Sequence, residues 1–236
     1  MDQVENLLVR AAGHRQRTGR PFVTLSYAQS LDGCIAARPG QPLTLSGSQS
    51  LILTHRLRAA HDAILVGIGT VLADNPRLDV RLVSGQNPQP VVVDSQLRFP
   101  LKANLLQKSP LPWIAAGQQT DEHRQRALEA AGARVLRLPA RADGRVNLGV
   151  LLERLGDLAI DNLMVEGGTR IITSFLSEQL ADYLIVTIAP TLVGGLHAVG
   201  NLGKSQLTHF PRLQDWHYEQ LGEDLILSGR LAWEVT

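Results

Sequence analysis

Cysteine is almost missing from these 236 residues, and Cys34 stands alone. One thiol can build neither an internal disulfide nor a thiolate zinc site, so a reducing, cytosolic setting is expected. The seven histidines show no metal-ligand spacing. Lysine occurs only at Lys102, Lys108 and Lys204, and none of them completes a Walker Gly-x-x-x-x-Gly-Lys-Ser/Thr motif. There is no Gly-x-Ser-x-Gly elbow. The net charge of +1 offers no general field to draw nucleic acid or an anionic membrane. The most apolar run, Ala63 to Ala73, is too short and too broken by glycine to span a bilayer. The opening Met-Asp-Gln-Val-Glu lacks the features of a signal peptide.

What remains is the composition of a globular chain, 44% apolar and 19% charged, long enough for a substantial core. Nearly all its basic residues are arginine, which suits planar anions such as phosphate, although genome composition can produce the same bias. One domain over residues 1–236 is expected, with 1–19 as a helical extension.

Helical spacing of Val4, Leu7, Leu8 and Ala11 predicts a helix over 3–17. Strands are expected at 22–28, 34–36, 62–66, 90–93, 113–116, 135–138, 163–165 and 183–189. Helices are expected at 49–60 with Ser48 as cap, just after 67, at 120–131 with Thr120 as cap, and after Asn147. Residues 190–203 read as a glycine-rich loop, and 216–221 with 225–231 as a closing antiparallel pair. Alternation of strands and helices predicts a three-layer α/β/α fold, its sheet mainly parallel.

Glu166-Gly167-Gly168 joins a buried strand to a helix start. Such a turn can cradle an anion on free helix amides, or be only a tight connection. Gly67-Ile68-Gly69-Thr70-Val71-Leu72 begins like a dinucleotide fingerprint but has leucine at the third glycine, so a standard Rossmann site is not expected. Thr70 nonetheless sits at a helix start beside a strand end. Arg56, Arg58, Arg77 and Arg81 bracket that strand end and read either as solvated surface or as a phosphate site. Asp94 fits an Asx turn, and Ser95 with Arg98 would suit a 2′-phosphate. Two phosphate-like sites and few titratable groups favour hydride transfer, in which a cofactor supplies the reactive atom.

Ser30-Leu31-Asp32-Gly33, Arg58, the run Gly69 to Leu78, Arg81, Val93-Asp94-Ser95, Val165 to Gly168 and Ile188-Ala189-Pro190 occur in this order. Together they resemble the reductase domain of bacterial riboflavin biosynthesis, with a dihydrofolate-reductase-like fold. The resemblance spans roughly residues 20–232. It implies NADPH-dependent reduction of the ribosyl group of a ribosylaminopyrimidine 5′-phosphate to ribityl, in a homodimer. It implies cofactor contacts at Ala28, Thr44, Thr70, Asp74, Ser95, Gly168, Thr169, Arg170, Ile171, Ile172, Thr173 and Ser174. It implies substrate contacts at Arg58, Leu78, Arg81 and Glu166 but no obvious general acid, for which the sequence itself offers Glu166 and Asp32 as candidate catalytic residues. Pro42 and Thr44 depart from the family, which has a substrate-binding serine and a cofactor-stacking tryptophan there. Two alternatives stay open: a paralogue reducing another pterin-like or heterocyclic substrate, and a nucleotide-binding protein without turnover.

Overall fold

The computed structural model describes residues 3–204 and 210–233, so both extreme ends of the expected domain lie outside the described residues. In chain order the elements are α1 (Gln3–Ala11), α2 (His14–Thr18), β1 (Phe22–Ser30), β2 (Cys34–Ala36), α3 (Ser48–Ala60), β3 (Ala63–Gly67) and α4 (Ile68–Asp74). There follow β4 (Gln89–Val93), β5 (Trp113–Gly117), α5 (Glu122–Ala130), β6 (Arg134–Leu138), α6 (Leu148–Asp157), β7 (Asn162–Val165) and α7 (Thr169–Ser177). The chain closes through β8 (Tyr183–Ala189), β9 (Leu196–His197), β10 (Arg212–Leu221) and β11 (Asp224–Ala232).

Nine strands form one sheet in the order β10-β11-β8-β1-β7-β3-β4-β5-β6. From β8 to β6 every pairing is parallel, and β11 runs antiparallel between β8 and β10. β2 and β9 pair separately. Side chains alternate across the pleat, so each central strand supplies both layers. On one face Leu25, Leu65 and Val165 pack with Leu151 and Leu155 of α6 and Phe175 of α7. On the other, Ile64, Val92 and Ile114 meet Val71 of α4 and Leu128 of α5. Met164 and Ile185 meet Leu7 of α1 and Leu57 of α3 on that same side. The expected three-layer architecture is therefore present.

Local differences have local causes. The helix expected over 3–17 breaks at Gly13, which takes a left-handed φ of 67° and leaves α1 and α2. Gly47, not Ser48, caps α3, and Ser48 is already helical. Asp121 caps α5 by accepting from the amides of His123 and Arg124, while the Thr120 hydroxyl donates back to the Gly117 carbonyl. Asn147 caps α6 as expected, accepting from the Val150 amide. The loop after β8 contains β9 and a 3-10 turn at Leu202–Lys204.

The N-terminal helical segment is tied to α6 by close backbone approach. A Cβ on Gly156 would lie 2.0 Å from the Gly19 carbonyl oxygen, and the Arg15 guanidinium pairs with Asp161 at 2.6 Å. Gly156→Ala should therefore push the two segments apart and destabilise the protein by about 2 kcal/mol, read as a lowered midpoint in urea denaturation.

Candidate active site

The position of β7 makes the site. The chain leaves β1, skips one place to build β3 through β6 outward, then returns to fill the gap with β7. A cleft of about 1000 Å³ opens over the carboxyl ends of β1, β3, β4, β7 and β8. Open α/β sheets bind ligands at such reversals of strand order.

Glu166 is the first residue past β7, its amide donating to the Leu65 carbonyl at 2.9 Å. Its carboxylate receives both arms of Arg58 from the last turn of α3, Nε to Oε1 at 2.8 Å and Nη2 to Oε2 at 2.7 Å. Only 12% of the Arg58 side chain and 20% of that of Glu166 are exposed. Burial alone lowers the Arg58 pKa, but the charges of Glu166 and Asp79 outweigh it and the net direction is upward. A bidentate partner of this kind suits a carboxylate that accepts hydrogen bonds. Both carboxylate oxygens of Glu166, a candidate acid from sequence, are engaged as acceptors of Arg58.

The two glycine turns have a packing cause. A Cβ on Gly67 would come within 2.7 Å of the Ile171 side chain, and one on Gly167 within 2.8 Å. Ile171 therefore sits against two strand ends at once. Gly168 caps α7 and Gly67 caps α4, neither helix start carrying a side-chain cap. A Cβ built on Gly168 would lie 3.8 Å from the Thr70 hydroxyl, so the two helix starts are neighbours at the cleft.

Ala28, Thr44, Thr70, Asp74, Ser95, Gly168, Thr169, Arg170, Ile171 and Ser174 all line the cleft, as do Arg58, Leu78, Arg81 and Glu166. Burial pushes the Asp74 carboxyl up and the Tyr27 phenol up to about 12. Pro42 and Thr44 lie in the exposed stretch 39–44, which borders the cleft without helix or strand.

Three expected site residues face elsewhere. Ile172 is fully buried in the core beneath α7. The Thr173 hydroxyl donates to the Thr169 carbonyl and accepts from the Gly200 amide. Asp32 is not among the cleft residues. Its carboxylate accepts from the Ser30 hydroxyl and the amides of Val193 and Gly194. Those donors hold the carboxyl well below the usual carboxylate range. It clamps the loop after β8 and is a poor acid near neutral pH.

Of the four arginines expected to converge, Arg58 and Arg81 reach the cleft, whereas Arg56 and Arg77 are not among its lining residues. Arg77, Arg81 and Lys108 instead share the buried carboxylate of Asp79. Sequence reading missed Asp79, and it missed Arg141 and Arg145. Those two flank a turn in which the Arg141 amide donates to the Arg145 carbonyl at 2.7 Å and Gly144 takes φ 77°. The next amide, of Val146, donates to the Ser95 hydroxyl at 3.0 Å and fixes the turn beside the β4 end. An Asp-Gly pair between a strand and a helix was the available signal. Asp94 is fully buried and accepts from the Phe99 amide at 2.8 Å, which closes its own loop.

Because the Asp32 pKa is depressed in the native state, its contribution to stability is complete above the unfolded value near 4 and fades as pH falls through the native one. Wild type should melt above Asp32→Asn at pH 7, and the two melting curves should converge in acid.

Comparison with known proteins agrees with this geometry. The family described as the RibD C-terminal domain matches residues 21–227. The riboflavin biosynthesis protein RibD of Aquifex aeolicus is 36% identical over 88% of this chain and 57% of its own length. The chain thus spans under three fifths of that longer relative. A 2,5-diamino-6-ribosylamino-4(3H)-pyrimidinone 5′-phosphate reductase of Methanothermobacter thermautotrophicus is 40% identical over 88% of this chain and 97% of its own. The solved Saccharomyces cerevisiae riboflavin biosynthesis reductase Rib7 superposes with a TM-score of 0.75 at 29% identity, covering 97% of both chains. An Enterococcus faecalis dihydrofolate reductase shares the fold, with a TM-score of 0.52 at 12% identity over 89% of this chain and 96% of its own. With β7 set into the gap beside β1 and the Glu166-Gly167-Gly168 turn at its end, the chain belongs to the RibD C-terminal reductase domain family.

Proposed function

We propose that this chain is an NADPH-dependent reductase that converts the ribosyl group of 2,5-diamino-6-ribosylamino-4(3H)-pyrimidinone 5′-phosphate to ribityl. The observation that carries this reading is the desolvated Arg58–Glu166 pair beside Arg81, at the meeting of α3, β3 and β7. The archaeal relative of matching length supports the substrate named.

The residues fit two ligands end to end. The neighbouring starts of α4 and α7, neither capped by a side chain, would with the Thr70 hydroxyl offer donors to a pyrophosphate. Arg98, Arg141 and Arg145 line the far end by Ser95, as guanidiniums for a 2′-phosphate. NADPH, when bound, supplies the hydride delivered to the sugar C1. Glu166 would accept hydrogen bonds from the pyrimidine, Arg58 would hold that carboxylate in place, and Arg81 would meet the 5′-phosphate. The walls of the cleft would exclude water from the reacting carbon.

The single cysteine supports a cytosolic setting, and no helix of the described residues is long and apolar enough to cross a membrane. A homodimer is part of the proposal. Its support is the sheet-edge strand β10, whose exposed Trp216 and Tyr218 rings stack 6.0 Å apart. A second reading, a different heterocyclic substrate, draws on Pro42 and Thr44 at the cleft.

NADPH oxidation with that ribosylaminopyrimidine phosphate, run beside dihydrofolate, tests the function; no turnover of the first by folded, NADPH-binding protein would sink it. Glu166→Gln should cut kcat/KM by roughly 100-fold or more and leave the NADPH Kd nearly unchanged. Weakened NADPH binding in that variant would place Glu166 with the cofactor instead. Arg98→Ala and Arg145→Ala should each reduce the preference for NADPH over NADH by about tenfold, measured as the ratio of the two kcat/KM values.

A further inference from the structure

Asp79 lies two residues beyond Arg77 and two before Arg81, and its side chain is only 6% exposed. Oδ1 accepts from Arg81 Nη1 at 2.9 Å. Oδ2 accepts from Arg77 Nε at 2.9 Å and from Lys108 Nζ at 2.8 Å. Burial by itself pushes this carboxyl up, but the hydrogen bonds from Lys108, Arg77 and Arg81 prevail and hold it well below the usual carboxylate range. The backbone of the same residue serves the other wall of the site, its carbonyl accepting from Arg58 Nη1 at 3.2 Å. Arg81 is fixed at its backbone too, its amide donating to the buried Nδ1 of His55 at 3.2 Å. Asp79 thus touches both Arg58 and Arg81, and it is anchored by two further cations, Arg77 and Lys108, that are not among the cleft residues.

We propose that Asp79 is a positioning residue: its carboxylate aims Arg81, and its carbonyl seats Arg58, for an anionic substrate group. The inference rests on the reading of Arg81 as the phosphate contact. Two effects of the carboxylate oppose each other. Its negative charge weakens the field felt by a phosphate, whereas its hydrogen bond removes the rotamer freedom that a half-exposed arginine otherwise loses on binding. Arg81 is 46% exposed, so solvent screens the first effect. The second does not depend on screening and prevails. One carboxylate among three cations also leaves the cluster positive, so attraction for a dianion survives.

The signs separate the two effects. If Asp79 positions Arg81, Asp79→Asn raises KM for the phosphorylated substrate by about tenfold, with kcat and the NADPH Kd within twofold of wild type. If Asp79 only dilutes positive charge, KM falls, and the proposal is overturned. A double-mutant cycle with Arg81→Ala adds a readout that a merely structural role would not move. Once Arg81 is gone, Asp79→Asn should raise KM no further, and additive effects would refute action through Arg81. Inorganic phosphate binding, measured by calorimetry on the apoprotein, keeps the test independent of the substrate assignment. Wild type should bind phosphate at least fivefold more tightly than Asp79→Asn, and equal or absent binding in both would count against the inference. If Asp79→Asn does not fold, Asp79→Glu, which keeps the charge but displaces the acceptors, should raise KM in the same direction.

Discussion

The site depends on one desolvated ion pair, Arg58 with Glu166, whose partners are separated by 108 positions in the chain. Taking both charges out of water costs several kcal/mol per ion, and only excellent geometry with further hydrogen bonds offsets it. Both conditions hold here. The contact is bidentate, and the remaining guanidinium arm reaches the Asp79 carbonyl. The pair also requires the sheet order. Were β7 at an edge, Glu166 would not lie beside β3, where α3 delivers Arg58. The late insertion of β7 is thus a condition of the site as much as a detail of topology.

The two ends of the cleft offer different groups to the anions proposed to bind there. Near α4 and α7 the donors are backbone amides at helix starts, which are rigid and carry only partial charge. Near Ser95 the donors are guanidiniums on a turn, with Arg145 61% exposed and Arg98 50% exposed. The first kind fixes position and the second adds charge that salt can screen. A ligand spanning both would be placed by one end and selected by the other.

Much of the fold was legible because strand and helix periods are strong signals. Buried runs such as 183–189 and the Asn147 cap needed nothing beyond local sequence. Boundaries failed where two adjacent residues offered the same chemistry, as with Thr120 and Asp121, and only backbone geometry chose between them. Within the site, the seven consecutive positions from Gly168 to Ser174 could not all face the cleft, since a helix turns 100° per residue. Ile172 accordingly points into the core, and Thr173 bonds to Gly200. Asp32 and Asp79 were opaque for another reason. A carboxylate in a polar stretch has the same local sequence signature whether it faces a ligand, clamps a loop or gathers cations. That choice is made by residues far away in the chain: Val193 and Gly194 in one case, Lys108 in the other.

Ile171 gives the opening of α7 an unusual support. A helix start is ordinarily fixed by a side-chain oxygen that uses up one of its amides. Here hydrocarbon wedged against Gly67 and Gly167 does the fixing by shape alone. The Ile171 amide turns back to the Gly168 carbonyl at 3.0 Å, and no side chain caps the amides ahead of it while the backbone that carries them is held still. Orientation and availability, which usually compete at a helix terminus, are separated in this protein by placing the first in the apolar layer and the second in the cleft.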